Sequence, residues 1–155
     1  MKLPTLALTT FLALPLLSGC TPELQKETPL AELFTNAELD GKLVTTTGLL
    51  RLSTGIMGTS TCQGARCSLD LWLPDDAAKI NDTKSLTVKL TTGSGENAMA
   101  ELPDKYAKTD LKVKAMGGKV LAHGDKAKVT GKVKCKNGSE PSLPCRMDVD
   151  RVDVP

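Results

Sequence analysis

Five cysteines and one histidine are the residues of this 155-residue chain best suited to chemistry. Cys20 closes a short apolar stretch, Cys62 and Cys67 stand five positions apart, Cys135 and Cys145 ten apart, and His123 lies alone in "GGKVLAHGD". Four thiolates could hold a zinc ion, paired thiols could exchange disulfides, and an imidazole near a hydroxyl could act as a general base. The spacings argue against each of these. Zinc sites favour closely spaced cysteine pairs, whereas nine residues separate Cys135 from Cys145. The C-x-x-C spacing that poises a reactive thiolate is absent. Nothing in the pattern brings a nucleophile to His123, which reads as a surface-loop histidine. "GSGENA", residues 93 to 98, lacks the lysine of a phosphate loop. The acids of the last strand lack the offsets of a calcium loop. The expectation is a protein that is not an enzyme, with no cofactor and no metal.

Cys20 has a different context from the other four cysteines. Met1 and Lys2 start the chain with positive charge, and the apolar run from Leu3 to Leu17 is too short to cross a bilayer core of about 30 Å. The run ends in Leu17-Ser18-Gly19-Cys20, which resembles the lipobox of bacterial lipoprotein signal peptides. That resemblance implies removal of residues 1–19, acylation of Cys20 through its sulfur by a palmitate-type chain, and a further acyl chain on its new amine. One chain binds a membrane only marginally, so stable anchoring takes more than one. The implied address is the cell envelope. Thr21, standing where an aspartate would signal inner-membrane retention, favours an outer membrane facing the periplasm. Residues 20–27 are then the lipidated cysteine and a polar spacer, and 28–155 form one domain.

With Cys20 assigned to lipid, Cys62, Cys67, Cys135 and Cys145 are an even set in an oxidising compartment. Of three possible pairings, Cys62 with Cys67 and Cys135 with Cys145 is preferred. The 20 Lys/Arg and 18 Asp/Glu of the whole chain become 19 and 18 without Lys2, a net charge of +1. Only Phe34, Trp72 and Tyr106 remain as aromatics once Phe11 leaves with the signal. This balance and scarcity disfavour nucleic acid as a partner. The expected partners are the membrane, through the lipid, and an envelope protein or glycan.

The elements that would position these residues follow from periodicity. Thr28-Pro29 followed by Leu30, Leu33, Phe34 and Ala37 predicts one short helix ending at Asp40-Gly41. From Lys42 the apolar period becomes 2, and "GKLVTTTGLLRL", "CSLDLWL", "SLTVKL", "DLKVKA", "GDKAKVTGKVKC" and "CRMDVDRVDV" read as strands. "NAMAEL", residues 97 to 102, is a candidate helix ended by Pro103. The last strand changes phase between Val149 and Val152, which predicts a bulge near Asp150-Arg151. Gly48 and Gly131 each follow a threonine on the apolar side of their strands, seven residues after Gly41 and Gly124, as at the corners of a small closed sheet.

The order predicts an all-β, OB-like Greek-key barrel with a short N-terminal helix and a short helix between early and late strands. "DGKLVTTTGLL" resembles the opening strand of bacterial periplasmic and lipoprotein OB domains, and "GDKAKVTGKVK…MDVDRVDV" their two closing strands. The resemblance places the cysteine pairs at the two loops that frame the usual binding face. It makes Trp72, Lys128 and Lys132 the candidate ligand face. The function so implied is a membrane-anchored, non-catalytic binding module; the alternative is an oligonucleotide- or oligosaccharide-binding OB protein.

Overall fold

A computed structural model describes residues 26–52, 62–63, 65–72, 85–135 and 145–155. Residues 1–25, which include the expected signal stretch, Cys20 and most of the expected spacer, lie outside the described residues, as does Leu73.

Five long strands close into a barrel: β1 (Leu43–Arg51), β3 (Arg66–Trp72), β4 (Ser85–Thr92), β8 (Lys126–Lys134) and β9 (Arg146–Asp153). They run in the order β1-β3-β4-β9-β8 and return to β1, with β4–β9 parallel and the other barrel pairs antiparallel. This is a small OB-like barrel. Short strands extend it: β2 (Cys62–Gln63) pairs with the start of β3, and β5 (Ala98–Met99), β6 (Val113–Lys114) and β7 (Val120–Leu121) continue from the end of β4.

Each barrel strand alternates because its inner face must fill the interior while its outer face meets water. Leu69, Leu71, Leu86, Val88, Leu90, Ala127, Val129, Val133 and Met147 are all fully buried. The expected bulge is present: the β8–β9 register shifts between Thr130 and Gly131, leaving Asp150 as the extra residue and returning Val152 to the interior. Gly131 shows why a glycine stands there. A Cβ at this position would meet Met147 Cγ at 2.9 Å and collide with the Asp148 carbonyl.

Both barrel ends are covered. At the end where β1 begins and β8 ends, a single helical turn, α1 (Leu30–Leu33), buries Leu30 and Leu33. The helix is shorter than its apolar pattern predicts. Pro29 occupies the cap with extended backbone, and the Thr28 amide donates to the Thr45 carbonyl at 2.8 Å instead of starting a helix. The chain turns after Phe34 and forms a 3-10 turn at Ala37–Leu39, capped by the Asn36 side chain. At the other end, the segment from Ala98 to Leu121 buries Met99, Leu111, Val113, Ala115 and Leu121.

One expectation in that segment is corrected. Residues 97 to 102 are not helical: Asn97 has a positive φ of 60°, and Ala98–Met99 is strand. Six residues ended by a proline form too few internal hydrogen bonds to offset helix nucleation, whereas pairing with β4 and β6 satisfies this backbone directly. The short helical turns of the segment are 3-10 turns at Lys108–Asp110 and Met116–Gly118.

Candidate functional site

Two disulfides bracket one side of the barrel. Cys62–Cys67 joins β2 to β3, and Cys135–Cys145 joins the end of β8 to the residue before β9. The preferred pairing is therefore the one in the structure. Cys67 is a fully buried strand residue rather than a loop residue. The second disulfide rests on the N-terminal helix, with both sulfurs 3.5 Å from the Leu33 carbonyl oxygen. Asp40 accepts the Cys135 amide at 2.7 Å and ties the same corner to the start of β1.

Between the disulfides, strand register assembles an outer strip from positions far apart in sequence. One row runs Arg51, Asp70, Thr87, Arg146, Lys134 across β1, β3, β4, β9 and β8. The next runs Ser68, Lys89, Asp148, Lys132, and a third pairs Arg66 with Thr91. These residues alternate with the buried ones, so their side chains lie on the outer surface. The three rows hold six cations (Arg51, Arg66, Lys89, Lys132, Lys134, Arg146) and two acids (Asp70, Asp148), a difference of +4. Arg66 lies within the Cys62–Cys67 hairpin, paired with Gln63, and Lys134 precedes Cys135, so both disulfide-bracketed loops supply charge to the strip.

Asp148 is its central acid. Its Oδ1 lies 3.4 Å from Arg66 Nη1 and its Oδ2 3.4 Å from Lys134 Nζ. Asp70 accepts a long hydrogen bond of 3.5 Å from the Thr87 hydroxyl.

The residues expected to face a ligand do not all meet here. Lys132 is on the strip. The backbone of Trp72 pairs with Leu49 and Ser85, at the β3 end of the strip, and its side chain lies outside the described residues. Lys128 stands elsewhere: it pairs in register with Thr47 and Asp153, and its ammonium meets Glu27 at 3.1 Å. Glu27 also accepts the Thr47 hydroxyl at 2.6 Å. That hydrogen bond first, and Lys128 second, hold its carboxyl below the usual range. Arg51, Arg66, Lys89 and Arg146 were missed by sequence reasoning because each is an isolated cation in its own strand, and only barrel closure aligns them.

His123 is committed to the backbone. Its Nδ1 accepts the Leu52 amide at 3.1 Å, and burial, then Lys108, then Arg51 lower its affinity for a proton. Among the described residues no group of three His, Cys, Asp or Glu is placed to hold a metal ion.

No protein-family model matches the sequence, and no curated protein matches it. Among the solved structures that resemble it are two aspartyl-tRNA synthetases. One, from Leishmania major Friedlin and described as an aspartyl-tRNA synthetase, has a TM-score of 0.43 at 13% identity over 90% of this chain and 22% of its own. The other, the aspartyl-tRNA synthetase of Entamoeba histolytica, has a TM-score of 0.44 at 13% identity over 99% of this chain and 28% of its own. The chain thus spans less than a third of either, and the likeness concerns the fold. The expectation that nucleic acid is disfavoured as a partner does not stand, because the charge argument behind it fails in the structure. The net charge behind that expectation is an average over all faces, and it conceals a strip with six cations and two acids.

Proposed function

We propose that this chain is a non-catalytic OB-like binding domain that takes a single-stranded oligonucleotide along the outer strip that is centred on β4 and reaches through β3 and β9 to β1 and β8. The observation that carries this reading is the excess of four cations in three adjacent cross-strand rows, framed by two disulfide-bracketed loops. In OB folds the second and third barrel strands, here β3 and β4, and the loops between strands one and two and between four and five form the usual ligand face. With aromatics scarce, affinity comes mainly from phosphates rather than from base stacking, so binding tolerates sequence changes and weakens with salt.

The test is fluorescence anisotropy with a labelled oligo-dT of about 15 nucleotides. A net excess of four cations predicts a slope of log K against log salt of roughly −3. Substituting Lys89, Lys132 and Arg146 together by alanine should abolish most of the binding. No association at low salt, or undiminished binding by the triple variant, would overturn the assignment. Tighter binding of an acidic oligosaccharide in the same assay would reassign the strip to glycan.

The same proposal includes the address. The lipobox-like Leu17-Ser18-Gly19-Cys20 supports a chain cleaved before Cys20 and held by acyl chains at a bacterial envelope membrane, favouring the outer one. Cys20→Ala should leave full-length precursor without acyl label; normal processing of that variant would refute the anchoring.

A further inference from the structure

The central acid of the strip is out of character with its surroundings. Asp148 stands in register between Lys89 on β4 and Lys132 on β8, and its two oxygens reach Arg66 and Lys134, each at 3.4 Å. Four cations from three different strands, β3, β4 and β8, therefore surround one carboxylate. Its side chain is 32% exposed, while those of Arg66 and Lys134 are 59% and 48% exposed. Exposed ion pairs at such distances contribute little to stability. Folding has weak need of this carboxylate.

We infer that Asp148 is a built-in counter-anion of the ligand strip: its carboxylate holds the place of a ligand phosphate on Arg66 and Lys134 and must yield both cations when an oligonucleotide binds. The inference rests on the oligonucleotide reading above. Its chemistry is exchange of ion pairs alone, with no covalent step. The carboxylate does two things in the free protein. It holds Arg66 and Lys134 over the strip by drawing them from opposite sides, one beside Cys67 and the other beside Cys135. It also repels an incoming phosphate, so weak single-charge ligands are rejected. A ligand that carries several phosphates engages Lys89, Lys132 and Arg146 together and displaces the carboxylate from its partners.

The experiment compares the full chain with Asp148→Asn and with Asp150→Asn, using the same labelled oligo-dT and, separately, inorganic phosphate. Asp150 is an exposed acid at the bulge, outside the three rows, and serves as the charge control. Asp148→Asn should tighten oligo-dT binding about tenfold and steepen the salt slope by about 1. It should also gain detectable inorganic phosphate binding. Asp150→Asn should change affinity less than threefold. If the parent binds with the expected salt slope and Asp148→Asn binds equally or more weakly, the counter-anion role is wrong and the oligonucleotide reading stands. Equal tightening by both variants also overturns it, since net charge then explains the gain. If neither parent nor Asp148→Asn binds, both readings fall. Circular dichroism melts of the variants, expected within a few degrees of the parent, separate lost binding from lost fold.

Discussion

The imidazole Nδ1 of His123 accepts the backbone amide of Leu52 at 3.1 Å, fixing the chain where it leaves β1. That nitrogen can accept only while it is unprotonated. Burial first, and Lys108 and Arg51 after it, already disfavour the charged form.

The folded protein therefore binds this proton less readily than the unfolded chain. Stability from His123 is fully present above the unfolded value of about 6.5 and is lost as pH falls through it toward the lower folded value. Melting temperature should be flat between pH 8 and 7 and decline between pH 7 and 5. His123→Gln should remove that part of the decline, leaving the carboxylates to act at lower pH. An unchanged profile in the variant would show that the Leu52 contact does not titrate.

Gly131→Ala should cost about 2 to 3 kcal/mol in chemical denaturation, since the added methyl meets the Asp148 backbone and the Met147 side chain. The backbone cannot withdraw without opening the β8–β9 pairing at its bulge. A cost within error of zero would mean that β9 shifts freely there.

The barrel interior contains one flaw with a clear remedy. Thr46 is fully buried in β1, and its hydroxyl has no hydrogen-bond partner among the described residues. Thr46→Val removes the desolvated hydroxyl at nearly constant shape and should raise stability by about 1 kcal/mol in the same assay. A loss of stability would reveal a polar partner for this group.

Much of the barrel was legible because burial imposes a period of 2 on every long strand. The alternation of Leu69 and Leu71, of Val88 and Leu90, and of Val129 and Val133 predicted their inward faces, and the structure buries all six. The phase change before Val152 predicted the bulge for the same reason. Residues 97 to 102 were less legible, because a two-residue strand is too short to show a period and is fixed by partners at positions 91–92 and 113–114. Of the strip's cations, sequence reasoning placed only Lys132 on a ligand face. The strip's rows join positions 51, 70, 87, 134 and 146, and no local pattern carries that alignment.

The Cys135–Cys145 disulfide closes its loop against α1, so its removal should be felt in two places. Replacing both cysteines by serine should cost about 2 to 3 kcal/mol by the loop-entropy argument. Hydrogen exchange should then accelerate at Asn36 and Gly41, whose amides are bonded beside this corner, more than at Val88 in the barrel wall. Uniform acceleration would show that the disulfide acts on global stability alone.

The Glu27 bridge to Thr45 fixes where a pull on the N-terminus enters the molecule. Glu27 lies against β1 and β8, which in the closed order are each two strands away from β4, the middle of the charged strip. Only six residues separate Cys20 from Glu27, a reach of at most about 25 Å when fully extended. Were the chain anchored at Cys20 as proposed, a pull from the membrane would load the β1–β8 seam at Glu27 rather than β4 at the middle of the strip.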